Sequence, residues 1–481
     1  MAKAQLRKPN ILVLMSDNQS WNHAGIYGDR VVKTPNIDSI GHYGVRFSNA
    51  FCAAPSSAPA RAGFLTGQDI WRLEDGANLR GTLSDKFETY TDILEENGYA
   101  VGFQGKGWGP GEYLPGGRKR NPAGTEYPSF EAFLNQNRKG ERPWTFWFSS
   151  HEPHRPYVGL ADVSNIDFSK IEVPPYLPDV DSVRWDIANY YASIELFDKE
   201  IGKIIEQLKK SGQSDHTVIV VCSDNGWQMP RGLANLYDSG ARVPLIISYS
   251  KWSQKERKLG DFVNLNDLAP TFLDLANIPI PENFTAKSLL PSLLSNQESG
   301  IADSSRTVVF TARERHAFVR KHGLGYPGRA IRTKDYLYIR NYEPERWPAG
   351  DPPLYGDVDA NNLQYTAPTK VYILKHKDET LLKPFYDLSF AKRPLDELYD
   401  LSKDSHQLKN VAYNPTYKAI KEELEKQLDT YLKKAGDPRA LNRELIWDTI
   451  PYYNENDKRP VPSEENRKAL NLQLFYNYIN N

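Results

Sequence analysis

The sequence has little cysteine, no long apolar run, no internal repeat and no surplus of either charge. Two cysteines, Cys52 and Cys222, occur in 481 residues. That number excludes a disulfide-stapled scaffold and a cysteine-built zinc site. One lies in a loop of small residues and the other ends a β-branched run, so both read as buried thiols. The first apolar run, residues 11–15, is far shorter than the roughly 20 residues of a membrane span and has neither a basic lead nor a cleavage site. No membrane span and no targeting signal is expected, and a signal peptide removed upstream leaves the compartment open. The 60 Lys and Arg stand against 61 Asp and Glu, a formal net charge of -1, which provides no electrostatic footprint for nucleic acid. An anionic substrate has to be met by a local pocket. Repeats, low-complexity tracts and heptads are missing, which excludes solenoids and coiled coils.

The rest of the composition describes an ordinary globular chain, 40% hydrophobic and 25% charged. Its length calls for one large unit with an appendage, or for two or three domains. The first two thirds alternate short apolar runs with helical periodicity, the pattern of parallel strands joined by crossover helices. Strands are expected at residues 11–15, 100–103, 145–149, 217–222 and 244–248. A helix is expected through Ile187, Tyr190, Tyr191, Ile194, Phe197, Ile201, Ile204, Ile205 and Leu208, whose spacing marks one buried face. The predicted fold class is α/β, a large mostly parallel mixed sheet with helices on both faces. From about Arg329 the texture changes to an alternating strand, a Pro/Gly/Tyr-rich surface loop through Pro353, and an amphipathic helix over residues 415–434. Two units are expected, a catalytic α/β unit at 1–328 and a smaller α+β unit at 329–481 with an antiparallel sheet, a helix and a wrapping tail.

Ligands of open α/β sheets bind beyond the carboxyl ends of the strands. Residues 11–15 deliver Asp17-Asn18 there, and residues 217–222 deliver Asp224-Asn225. Either pair alone suits a turn or a helix cap; together they offer four hard oxygen ligands of the kind Ca²⁺ or Mg²⁺ takes. Between them lies Ser57-Ala-Pro-Ala-Arg61, with Leu65-Thr-Gly67 a few residues on. By itself this is a helix entry with a proline in its first turn.

Ser-x-Pro-x-Arg with a nearby Thr-Gly, some forty residues after an acidic pair on the first strand, resembles the signature of the formylglycine-dependent sulfatases of the alkaline-phosphatase-like superfamily. The resemblance runs along nearly the whole chain, through Gln104-Gly-Lys-Gly-Trp-Gly-Pro110, His151-Glu-Pro-His-Arg155, Asn235-Leu-Tyr-Asp-Ser-Gly240, Arg313-Glu-Arg-His316 and Glu397-Leu-Tyr-Asp-Leu401. Its form is similar to the heparan N-sulfatases and related bacterial polysaccharide sulfatases. It implies Ca²⁺ at Asp17, Asn18, Asp224 and Asn225, with the side chain of residue 57 completing the shell. It also implies a formylglycine nucleophile made at Ser57 by a formylglycine-generating or anaerobic radical maturation enzyme, with Arg61 holding its hydrate. Lys106 would clamp the sulfate and His154 would protonate the leaving group. A periplasmic or secreted location and a sulfated oligosaccharide substrate are implied as well.

The division of labour makes chemical sense. A sulfate ester is anionic, so cations must spread its charge, and a sugar alkoxide leaves badly without an acid. Three positions depart from the family pattern: Asn18 replaces a second Asp, Trp108 stands where a histidine is common, and Leu233 where Lys or Arg is. Arg231 is taken as the replacement cation. Ser57 suits a serine-type enzyme or a Cys-to-Ser variant that binds without turnover. Arg72, Glu74, Asn78, Trp108, Arg313, Glu314 and His316 are the candidates for sugar contacts, although Arg313-Glu-Arg315 also reads as a surface ion-pair group. Two alternatives remain: a non-catalytic sulfated-glycan-binding homologue, and a phosphatase or phosphodiesterase of the same superfamily. The latter lacks an evident zinc set among nine histidines.

Overall fold

The computed structural model describes residues 8–137, 142–157, 163–252, 255–358 and 367–453. A nine-stranded sheet is built from β1 (Asn10–Ser16), β2 (Val45–Phe51), β3 (Ala100–Gly105), β4 (Thr125–Glu126), β5 (Trp144–Ser149), β6 (Thr217–Ser223), β7 (Leu245–Ser248), β8 (Arg257–Asn264) and β9 (Ser299–Gly300). Their spatial order is β4-β3-β5-β1-β6-β7-β2-β8-β9. Neighbours run parallel except for β7, which is antiparallel to both β6 and β2. The five expected strands lie in β1, β3, β5, β6 and β7. The sequence reading did not anticipate β2 and β8, where polar residues interrupt the apolar pattern.

β1 is apolar without alternation because both of its faces are covered. Successive side chains point to opposite sides. Ile11, Val13 and Met15 pack with Ala58, Ala62 and Phe64 of the helix Ser57–Thr66. Leu12 and Leu14 pack with Phe197, Ile201 and Leu208 of the helix Asp181–Lys210. That helix is the expected one, and its amino-terminal half turns Ile187, Tyr190 and Ile194 toward a further cluster with Trp227 and Met229.

A second, antiparallel sheet contains β10 (Val308–Arg313), β11 (Gly328–Thr333), β12 (Tyr336–Asn341) and β13 (Asp396–Asp400) in that order. The helix Lys418–Lys434 lays Leu424, Leu428 and Leu432, one every turn, against Ala312, Ile331, Tyr338 and Leu398, with Trp71 of the first unit in the same cluster. β10 precedes residue 329, so this sheet straddles the boundary drawn from sequence texture. The loop expected on the surface near Pro353 instead buries Ala349, Tyr355 and Asp357. The helices Pro368–Lys375 and Lys383–Phe390 contribute Ile373, Leu374 and Phe390 to the cluster around Ile187. The expected wrapping tail packs as far as residue 453, where Tyr453 N–H donates to Arg80 O at 2.7 Å; its remainder, residues 454–481, lies outside the described residues. No helix among the described residues is long and apolar enough to cross a membrane.

Candidate active site

β1 and β6 are parallel neighbours in a register that pairs Ser16 with Ser223. The chain therefore leaves both strands at one edge, and Asp17-Asn18 meets Asp224-Asn225. Asp224 Oδ1 accepts from the backbone N–H groups of Asn18 and Asn225 at 3.0 and 2.8 Å. Asn18 holds a left-handed conformation, φ 70°, which asparagine tolerates better than most residues.

The helix Ser57–Thr66 starts beside this edge, and its whole length is buried. Ser57 and Arg61 are one turn apart on one face. Arg61 Nε donates to Asp224 Oδ2 at 3.0 Å, and Nη1 donates to Gly107 O at 2.7 Å and to Ser149 Oγ at 2.6 Å. Its remaining nitrogen, Nη2, is buried without a partner. Lys106 arrives from the carboxyl end of β3 on a turn flanked by Gly105 and Gly107, at φ +88° and +56°. A Cβ at Gly105 would sit 2.0 Å from Ser149 O, so only glycine lets the turn pass the end of β5. Lys106 Nζ donates to Asp17 Oδ2 at 2.6 Å and to Ser57 Oγ at 3.1 Å, while Ser57 Oγ–H lies 3.4 Å from Asp17 Oδ1.

Burial on its own would raise the Asp17 pKa; Lys106 above all, then His154 and Arg61, instead hold the carboxyl well below the usual carboxylate range. His154 lies just past β5, and its Nδ1 donates to Arg155 O, which leaves Nε2 as the nitrogen open to a substrate. Burial pushes this imidazole below its ordinary value, against the pull of Asp17 and with Lys106 adding to the fall.

The oxygens of Asp17, Asn18, Asp224 and Asn225 belong to residues no more than 1% exposed, and Asn225 Oδ1 is buried with no hydrogen-bond partner. Two carboxylates and two amides form a hard-cation donor set. No group of three or more His, Cys, Asp or Glu able to hold a metal occurs among the described residues; here amides complete what carboxylates begin. The residues present fit a cation of the Ca²⁺ or Mg²⁺ kind.

The other expected site residues, His316 apart, are engaged by partners of their own. Arg231 is buried, stacks 3.7 Å from the centre of the Tyr237 ring, donates to Leu388 O at 2.9 Å and also donates to Gln407 O; its two guanidinium hydrogen bonds thus go to carbonyls of the carboxyl-terminal third. Trp108 is a core residue, 2% exposed, fixed through its backbone to Asn121. Arg72 donates to Gln68 and to Ala435 O, and Glu74 is half exposed and paired with Lys86. Asn78 joins Trp447 O to Arg315 N–H. Arg313 is paired with Asp357, and Glu314 with Arg329 and Arg439. The group that could be read as a surface ion-pair cluster is thus a set of buried struts.

His316 alone of that group reaches the site. Its Nδ1 lies 2.8 Å from Ser56 Oγ, next to the candidate nucleophile. Burial, against Asp357, pushes its pKa down to about 4 with help from Arg313, Arg320 and His154. The sequence reading passed over Ser149 and Gln228. Ser149 was open to the rule that polar residues at strand ends matter; nothing in the sequence around Gln228 marks it.

Cys52 and Cys222 are free and buried, as expected. Burial raises both thiols above the ordinary range.

Comparison with known proteins gives the same direction. The Sulfatase family matches residues 9–110 and 125–278, more than half of the chain. The family described as N-sulphoglucosamine sulphohydrolase, C-terminal, matches residues 233–352. An ulvan-active sulfatase of Formosa agariphila is 27% identical over 90% of this chain and 82% of its own length. The N-sulphoglucosamine sulphohydrolase of Homo sapiens is 24% identical over 93% of this chain and 96% of its own. A protein solved with its substrate D-glucosamine-2-N,6-O-disulfate superposes with a TM-score of 0.66 at 18% identity, over 91% of this chain and all of that one. Its low identity speaks for the fold alone. With these matches, and with the acidic-amide pairs, Ser57, Arg61 and Lys106 gathered at one sheet edge, the chain belongs to the sulfatase family.

Proposed function

We propose that this protein removes sulfate from a sulfated saccharide, as an O-sulfatase or N-sulfatase, at the pocket formed by Ser57, Arg61, Lys106 and His154. The observation that carries the reading is the anion site itself: the Lys106 ammonium 3.1 Å from Ser57 Oγ and a buried Arg61 nitrogen with a donor to spare. Relatives named for ulvan and for N-sulphoglucosamine support a sulfated glycan as substrate.

Held by Asp17, Asn18, Asp224 and Asn225, with residue 57 completing the shell, Ca²⁺ would supply Lewis-acid stabilisation of charge on the sulfate oxygens. Oxidation of residue 57 to the formylglycine aldehyde by a maturation enzyme, followed by addition of water, would supply a geminal diol, a stronger nucleophile than the Ser57 hydroxyl. Lys106 and Arg61 neutralise and orient the anion, a preorganised electrostatic role that costs no rearrangement at the moment of reaction. With Nδ1–H held by Arg155 O, His154 serves as the acid only as an imidazolium carrying a second proton at Nε2, a form that burial opposes and that Asp17, together with the bound sulfate anion, favours. That Nε2 proton goes to the departing sugar oxygen or nitrogen. His316 Nε2 makes no hydrogen bond among the described residues and is a candidate contact to the sugar. A bacterial periplasmic or secreted setting would suit such a substrate.

The test is calorimetric titration of N-sulfated or 6-O-sulfated glucosamine, and of its desulfated counterpart, into the chain as it stands. Sulfate-dependent binding that weakens with salt and falls roughly tenfold or more in Lys106→Ala is expected. Binding indifferent to sulfate overturns the reading. In a Ser57→Cys variant carrying formylglycine by mass, desulfation of the same sugars is expected; binding without desulfation would leave a non-catalytic glycan-binding protein.

A further inference from the structure

Asparagine at position 18 creates a problem that an aspartate would not have. A carboxylate presents oxygen whichever way it turns, but an amide has one oxygen and one NH₂ and must be oriented to ligate a cation. Resting on the cation site proposed above, we infer that Gln228 is the positioning residue that sets this orientation, as the middle of a one-way chain of amide groups.

The chain can be followed atom by atom. Gln228 Oε1 accepts from the backbone N–H of Arg155 at 3.1 Å, a group that can only donate, so the oxygen of the Gln228 amide is fixed on that side. The same Oε1 lies 3.4 Å from Asn18 Nδ2, a long contact that favours NH₂ over oxygen there. Asn18 Oδ1 is thereby turned the other way, where it accepts from Asn225 Nδ2 at 2.5 Å. Asn225 Nδ2 also donates to Gly226 O at 3.1 Å, a group that can only accept, so the far end of the chain is fixed independently. The direction set by one backbone donor and one backbone acceptor agrees through all three amides. It ends on Asn225 Oδ1, the buried oxygen that has no partner. A polar chain that leaves one bare, inward carbonyl oxygen fits a cation, which is the one partner that needs no hydrogen-bonding direction of its own.

The inference predicts a specific pattern of metal affinity, measured by calorimetric Ca²⁺ titration of the full chain with Ser57 in place, so that turnover plays no part. Gln228→Leu should weaken Ca²⁺ about tenfold or more, the usual range for partners that orient a metal ligand. Gln228→Glu, which keeps an acceptor for Arg155 N–H and for Asn18, should not weaken it. In an Asn18→Asp background the Gln228→Leu penalty should disappear, since a carboxylate needs no orienting. Asn18→Asp alone should not gain affinity despite its added charge, because it sets an acceptor against Gln228 Oε1; this single variant decides the matter should Gln228→Leu not fold.

An equal penalty for Gln228→Leu in both backgrounds, no penalty in either, or a clear gain from Asn18→Asp alone overturns the role of Gln228 while leaving the cation site intact. Failure of the parent chain to bind Ca²⁺ overturns the site, and the inference with it.

Discussion

His154 is placed for one task, and its kinetics should say so. With Nδ1 committed to Arg155 O, Nε2 is the nitrogen able to carry a proton to a leaving group. In a matured enzyme His154→Ala should lower turnover of a sugar sulfate by about 10²–10⁴-fold, but affect an activated aryl sulfate far less, since that group leaves without a proton. Steady-state rates on the two substrates check this, and equal losses would assign the residue to binding. At this scale the residues at strand ends were legible in the sequence, because a parallel sheet brings the carboxyl-terminal ends of its strands, and the residues just past them, to one edge. The charged candidates were not. Arg313, Glu314 and Arg231 show a charge in the sequence but not the partner that uses it up, and their partners Asp357, Arg329 and the carbonyl of Gln407 stand 15 to 176 positions away. Trp108 was misread for a related reason: an aromatic residue in a glycine-rich turn looks exposed until the fold closes over it.

The helix Lys418–Lys434 couples a single titration to its packing. Its Tyr431 ring stacks on Phe310 at 3.7 Å, and its hydroxyl donates to Asp69 Oδ2 at 2.9 Å. Burial nevertheless pushes the Asp69 carboxyl up to about 6 from an ordinary 3.8, against Tyr431, Thr285 and Arg72. Between those pH values the folded protein holds the proton more tightly than the unfolded chain. This group therefore makes stability fall as pH rises through the window, at about 1.4 kcal/mol per unit, and level off above it. Asp69→Asn, which keeps an oxygen for Tyr431, should remove that fall. Urea midpoints of parent and variant from pH 4 to 7 check it, and parallel curves would refute it. The helix was legible from the spacing of Leu424, Leu428 and Leu432, as was the long helix through Ile187. β2 was not, because Arg46, Ser48 and Asn49 break its pattern; Arg46 is paired with Glu256 and Asn49 Nδ2 donates to Gly260 O, so the sheet tolerates polar residues that a sequence pattern penalises.

At the scale of the whole molecule, Glu314, first taken for a sugar contact, belongs to a buried charge cluster centred on Arg329. Arg329 is fully buried between Asp437 and Glu314, each at 2.7 Å, and lies 5.2 and 5.7 Å from the ring centres of Trp71 and Trp447. It ties β11 to the segment after the last helix and to the first unit in one contact. Arg329→Leu strands Asp437 without its cation, and removing one partner of a buried pair typically costs about 3–5 kcal/mol. Calorimetry should show the whole transition moved to lower temperature, with the two sheets melting together; a separate early transition confined to the small sheet would contradict this. The division drawn at residue 329 rested on a change in texture alone and left β10 outside the sheet it joins, because sequence texture reports exposure patterns and not which strand joins which sheet.

The ion pairs at the sheet edge have one further consequence. Asp17 is occupied by Lys106 and Asp224 by Arg61, so with neither ligand present each carboxylate and each cation is the other's counter-ion. A metal that takes the carboxylates releases the two cations to an anion, and an anion that takes the cations releases the carboxylates to a metal. The two ligands are then heterotropic partners, and linkage requires that each raise the other's affinity by the same factor. Titrating Ca²⁺ with and without saturating sulfated glucosamine, and the sugar with and without Ca²⁺, should return two equal enhancements; independent affinities would mean that the pairs stay closed when ligands bind.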